Sequence, residues 1–125
     1  MDNRPNVLLV EDSPTQSQEI AAHMTQYDID VMIAKDGPQA LRLAKELQPD
    51  VIVLDINLPS MNGFQVCRRL KRDDATSEIP VIMLTSADSS DDMLSGLDAG
   101  ASDYITKDQF APESLLTALR SLGLM

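Results

Sequence analysis

The chain has 125 residues, 43% hydrophobic and 3% aromatic, enough for one compact domain around one core and too few for two. Twenty acidic against ten basic residues give a net charge of −10, a field that repels phosphate backbones and anionic lipid and disfavours direct contact with nucleic acid or membrane surfaces. The single cysteine, Cys67, excludes an internal disulfide and fits a reducing, cytoplasmic compartment; neither a secretory signal nor a membrane-spanning run is expected.

In chain order, a β-rich run at Asn6–Val10 precedes a helical stretch marked by Ile20 and Met24. A second run, Asp30–Ala34, leads through the N-cap candidate Asp36 into a helix with Ala40, Leu41, Ala44 and Leu47 along one stripe. Pro49 separates it from Val51–Leu54, and Val66, Cys67 and Leu70 mark a third helix. Pro80–Leu84 is the fourth strand, and Met93, Leu94 and Leu97 mark a fourth helix, with Ser89 as a cap candidate and Gly100 at its end. Asp103–Thr106 is the fifth strand, and Leu115, Leu119 and Leu122 mark the last helix. The strands are apolar without alternation, as burial on both faces requires. This (βα)₅ order predicts one doubly wound α/β domain over residues 1–125, with a five-stranded parallel sheet in the flavodoxin-like order 2-1-3-4-5.

In such a sheet, chemistry collects beyond the carboxyl ends of the strands. Glu11-Asp12 follow the first strand, Asp55-Ile56-Asn57 the third, Thr85-Ser86-Ala87 the fourth and Lys107 the fifth. Carboxylates brought that close repel one another unless a cation sits among them, and hard oxygen donors suit Mg²⁺. Glu11 and Asp12 alone are equally readable as caps of the first helix. Together with Asp55, Thr85 and Lys107 they form a set suited to receiving a phosphoryl group, with Asp55 as nucleophile and Lys107 neutralising phosphoryl oxygens.

The runs Leu8-Leu9-Val10-Glu11-Asp12, Leu54-Asp55-Ile56-Asn57-Leu58-Pro59, Met61-Asn62-Gly63, Leu84-Thr85-Ser86-Ala87 and Asp103-Tyr104-Ile105-Thr106-Lys107 together resemble a response-regulator receiver domain of two-component signalling, from Val7 to Leu122. The resemblance implies a signalling switch, not an enzyme acting on separate substrates. It implies phosphorylation of Asp55 by a sensor histidine kinase, a phosphotransfer protein or a small phosphodonor. Mg²⁺ would be held by Asp12, Asp55, Glu11 and the Asn57 backbone carbonyl. Thr85 and Lys107 would bind phosphoryl oxygens, and Tyr104 would be the aromatic switch residue. The output is expected to be a changed protein-binding face on the fourth helix, fifth strand and last helix, with a chemotaxis-type, single-domain regulator and no DNA-binding output. A phosphorelay intermediate or a pseudo-receiver that only binds partners is the alternative.

Two departures bear on that resemblance. Asp108 stands where the family has proline after its lysine; a cis bond without proline costs ~3 kcal/mol, so the loop either stores strain or takes another course. The acidic pair is Glu-Asp, which ranks Asp12 above Glu11 as a ligand, with Glu11 reaching the metal through water. Enzymes on similar folds fit less well. The acidic loop after the first strand would repel a flavin phosphate, and Asn57 replaces the second aspartate of haloacid-dehalogenase phosphohydrolases.

His23 and Cys67 are expected to be structural. Arg68, Arg69, Lys71 and Arg72 are expected to form a solvated face, with attraction of an acidic partner as the alternative. From Asp73 to Thr106 there is no lysine or arginine, while Asp88, Asp91, Asp92 and Asp98 surround the expected fourth helix. Without basic residues to pair across that face, a monomer or weak dimer is expected.

Overall fold

The computed structural model describes residues 4–59, 61–85, 99–108 and 110–125. Its elements are β1 (Asn6–Val10), α1 (Pro14–Thr25), β2 (Asp30–Ala34), α2 (Gly37–Leu47), β3 (Val51–Asp55), α3 (Gly63–Arg72), β4 (Val81–Thr85), β5 (Asp103–Thr106) and α4 (Ala111–Ser121). The helical stretch expected around Met93, Leu94 and Leu97, its cap Ser89 and the acidic residues Asp88, Asp91, Asp92 and Asp98 lie outside the described residues.

All five strands are parallel in the order β2-β1-β3-β4-β5, as the alternation of strand and helix predicts. Successive side chains of a strand point to opposite faces, so each strand feeds two cores. Val7, Leu9, Val51, Val53, Ile82, Leu84 and Ile105 pack with Ile20 and Met24 of α1 and Leu115 and Leu119 of α4. Leu8, Val10, Ile52, Leu54, Val81 and Met83 pack with Ala40 and Ala44 of α2 and Val66, Cys67 and Leu70 of α3. Leu47, expected on the buried stripe of α2, is instead 45% exposed in the last turn.

The helix starts are set by side chains. Asp36 caps α2 as expected, its Oδ1 accepting from Gln39 N at 2.8 Å. At α1 the cap is Ser13, whose hydroxyl accepts from Gln16 N at 3.3 Å, so neither Glu11 nor Asp12 is spent on the helix. Asn62 and Gln65 form a reciprocal capping box at α3, with both bonds at 3.0 Å.

Two strands run one residue further than expected. Asp55 and Thr85 are the last residues of β3 and β4, held in the ladder beside Leu84 and Thr106. Ladder pairing therefore fixes the backbone of both residues, where a loop would leave it free.

The first residue of α3 lies against β3. Gly63 N donates to Ile56 O at 2.9 Å, and a Cβ on Gly63 would stand 2.5 Å from Asp55 O and 2.8 Å from Ile56 Cα. Only glycine permits that approach. Gly63→Ala is therefore expected to lower unfolding stability by about 1–3 kcal/mol, the usual cost of overpacking against backbone. Urea unfolding of the two proteins checks it, and an unchanged midpoint would show that the backbone yields without cost.

Candidate functional site

Strand alternation decides which side chains can meet at the carboxyl edge of the sheet. Glu11, Asp55 and Lys107 continue the side of Leu9, Val53 and Ile105 at the ends of β1, β3 and β5. Thr85 and Tyr104 fall on the opposite side, with Met83, and Tyr104 packs on that core.

The Lys107 ammonium joins the two buried carboxylates. Its Nζ lies 2.8 Å from Glu11 Oε2 and 2.8 Å from Asp55 Oδ2, with the two acidic side chains 1% and 2% exposed. The other oxygens bind backbone: Glu11 Oε1 accepts from Ser13 N at 3.1 Å and Asp55 Oδ1 from Asn57 N at 3.1 Å. Asp12 completes the acidic set from the exposed side, and carboxylate oxygens of Glu11, Asp12 and Asp55 all lie within 4.8 Å of one another. Three carboxylates against one ammonium leave two negative charges in excess in a largely desolvated corner.

The corner shifts the titration of Glu11. Burial, joined by the hydrogen bond and charge of Asp55, raises its pKa to about 6 despite the opposing bonds from Lys107 and Ser13. Glu11 Oε2 also accepts no well-aligned hydrogen bond, although the ammonium is close. For Lys107, burial favours the neutral amine, but bonds and charges from Asp55 and Glu11 outweigh it and hold the pKa above the usual lysine value. The donor set is all oxygen, crowded and short of positive charge, which fits a hard divalent cation. Glu11, Asp12 and Asp55 are the side chains placed to hold one, with Asn57 on the exposed loop beside Asp55.

Thr85 is 2% exposed at the end of β4, and its carbonyl accepts the Lys107 N–H, tying the fourth and fifth strand ends together. Tyr104 is half-buried, and its hydroxyl is buried without a hydrogen-bond partner among the described residues. The loop after Lys107 takes the second course: no cis peptide bond occurs among the described residues. Asp108 instead turns the chain into α4, its Oδ1 accepting from Phe110 N at 2.8 Å and its carbonyl from Ala111 N at 3.1 Å.

Elsewhere, Cys67 is buried and its thiol donates to Ala99 O at 3.3 Å. His23 stacks obliquely on Tyr27, with ring centroids 5.7 Å apart, and lies on α1 away from the carboxylate set. Sequence reasoning missed the bridging position of Lys107 and the part played by Ser13. The Asn62-x-x-Gln65 spacing was a usable signal for the capping box.

A family model described as the response regulator receiver domain matches residues 7–120. The chain is 42% identical over 118 residues to the DNA-binding dual master transcriptional regulator RpaA of Synechocystis, covering 94% of this chain and 48% of that protein. It thus spans about half of that relative. It is 41% identical over 101 residues to Protein PilH of Pseudomonas aeruginosa, covering 81% and 84% of the two chains. Among solved structures, the chemotaxis protein CheY4 of Vibrio cholerae matches with a TM-score of 0.88 at 31% identity, over 95% of this chain and 98% of that one. The receiver domain of the sensor histidine kinase PA1611 of Pseudomonas aeruginosa, solved with a magnesium ion coordinated in its active site cleft, matches with a TM-score of 0.86 at 30% identity, over 96% and 98%.

Because Glu11 binds its proton more tightly folded than unfolded, its charge destabilises the metal-free fold increasingly as pH rises from 4.5 to about 6, and by a constant amount above. Lys107 stays charged throughout that window. Glu11→Gln is accordingly expected to gain about 1–2 kcal/mol of relative stability between pH 4.5 and 7 in chelator. Urea titrations of both proteins at the two pH values measure it, and a difference independent of pH would refute the assignment.

Proposed function

The chain belongs to the response regulator receiver domain family, and we propose that it is a phosphoacceptor switch in which Asp55 takes a phosphoryl group from a phosphohistidine or a small phosphodonor. The observation that carries this reading is the Lys107 ammonium held between Asp55 and Glu11 at 2.8 Å from each, with Asp12 closing the acidic set.

In the transfer, an Asp55 carboxylate oxygen bonds to phosphorus as the bond from phosphorus to the donor's imidazole nitrogen breaks, and the imidazole leaves with the electron pair and takes a proton from solvent. Transfer of this kind needs positioning and charge more than covalent help from the protein. Asp55 is presented by the last ladder pair of β3, so its carboxylate is aimed before the donor arrives. Glu11, Asp12, Asp55 and the Asn57 carbonyl would hold Mg²⁺, which when bound neutralises charge on the phosphoryl oxygens. Lys107 supplies the second positive charge by turning from Asp55 Oδ2 to a phosphoryl oxygen.

The switch itself rests on Thr85 and Tyr104. A phosphoryl oxygen offers the Thr85 hydroxyl a charged acceptor, and a bond made better in one arrangement of the β4 end than in the other shifts the balance between them. Tyr104 shares the side of Thr85 and carries a buried hydroxyl with no partner among the described residues, so it gains by moving when the β4 end moves. The output is a protein contact on the face of β5 and α4. The charge of −10 makes direct nucleic-acid contact by this domain unfavourable. A histidine kinase or phosphotransfer protein as donor places the reaction in the cytoplasm, and no helix among the described residues is long and apolar enough to cross a membrane. Residues 1–125 act as one receiver unit.

Acetyl phosphate with Mg²⁺ is expected to add one phosphoryl group to the wild type, read by intact mass, and none to Asp55→Asn or in chelator. No labelling, together with no uptake of beryllium fluoride, would return the chain to the pseudo-receiver reading. Thr85→Ala is expected to accept the phosphoryl group but to lose the accompanying change at Tyr104. Ring resonances of Tyr104 with and without beryllium fluoride test this, and an undiminished shift in the variant would exclude Thr85 as the coupling residue.

A further inference from the structure

Four of the ten basic residues crowd into positions 68–72 of α3, in a chain of net charge −10. The fold sorts them into two kinds. Lys71 is spent internally, its Nζ donating to Ser77 O at 3.2 Å and Ile79 O at 2.7 Å. Arg68, Arg69 and Arg72 are exposed and line, with Gln65 and Met61, an open groove of about 390 Å³. None of the three arginines has an ion-pair or hydrogen-bond partner among the described residues.

The local structure alone does not account for them. A helix C-terminus favours cations in its last turn, which covers Arg69 and Arg72 but not Arg68. Arg68 and Arg72 stand at i, i+4, and Arg69 and Arg72 at i, i+3, so like charges face each other on one stripe at a small cost to the helix. The groove wall is also fixed in advance. Met61 packs so closely on Gly37 of α2 that a Cβ there would meet Met61 Cβ at 3.0 Å, and its N–H donates to Pro59 O at 2.7 Å.

We propose that this groove docks a short acidic segment of a partner protein, with carboxylates on Arg68, Arg69 and Arg72 and an apolar side chain on Met61. Guanidiniums bind carboxylates through two parallel bonds, and three of them on one helical stripe match acidic residues spaced a turn apart. The reach is local, because exposed charges are screened beyond about 8–10 Å at physiological salt. A short segment therefore feels the arginines before the surrounding acidic surface. A nucleic-acid duplex extends past the groove into that repulsive surface, and a second copy brings its own charge of −10. This docking is separate from the β5 and α4 face and does not depend on phosphorylation of Asp55.

The test uses a synthetic helical peptide carrying Glu pairs at i, i+4 around one Leu, titrated into the ¹⁵N-labelled chain. Saturable amide shifts at Met61, Gln65, Arg68, Arg69 and Arg72 are expected, with little change when every Glu is replaced by Gln. Arg68→Glu with Arg72→Glu should weaken binding about tenfold or more, as reversal of close charge pairs does. Arg42→Glu with Arg120→Glu changes the net charge equally at exposed positions away from the groove and should weaken it far less. Equal loss in the two double variants, absence of saturable shifts, or stronger binding of a DNA duplex at the same residues would overturn the proposal. So would sedimentation showing self-association that depends on Arg68 and Arg72, which would make the occupant a second copy.

Discussion

One ammonium stands between the buried carboxylates at the carboxyl edge of this sheet. Lys107 stands 2.8 Å from both Glu11 and Asp55, two carboxylates almost without solvent, and Asp12 adds a third charge from the mouth of the site. Ionised groups are costly to bury unless paired, and here the pairing is incomplete by two charges. Burial, joined by the hydrogen bond and charge of Asp55, raises the titration of Glu11. A corner left in this condition attracts positive charge.

Everything that places Lys107 depends on the two-residue period of the strands. Glu11, Asp55 and Lys107 continue one side of β1, β3 and β5, while Thr85 and Tyr104 continue the other. Charge is thereby gathered on one side, and Thr85 and Tyr104 lie on the other. A slip of one residue in β5 would exchange Lys107 for a neighbour and move Tyr104 into the charged corner. The fully buried registers of β3 and β4 prevent such slips at the centre of the sheet.

The surroundings show how small choices keep the corner open. Ser13 takes over the capping of α1, so the acidic pair is left for the site. Gly63 lets α3 start directly against Asp55 and Ile56, and the capping box fixes the angle at which it leaves. Asp108, in place of a proline, turns the chain into α4 by accepting the Phe110 N–H, an acidic answer to the same geometric need. On the outer side of α3, three arginines have no ion-pair partner among the described residues, in a chain of net charge −10.

The order and type of the described elements, the sheet order and most buried residues were legible in the sequence, because hydrophobic period and crossover handedness leave few alternatives. The nearness of Glu11, Asp12, Asp55 and Lys107 was legible too, since each follows or ends a strand on the edge where such folds collect chemistry, whereas Thr85 ends β4 on the other side of the sheet. The sequence could not say that Lys107 pairs with both carboxylates in charge, that Ser13 replaces the acidic pair as the cap, or that Leu47 points outward. Nor could it decide the path after Lys107 or separate Lys71 from its arginine neighbours. Those outcomes depend on distances between residues far apart in the chain, and on which side of a strand or helix end each side chain leaves. Local pattern determines what an element is, but only the packed assembly determines which charges meet.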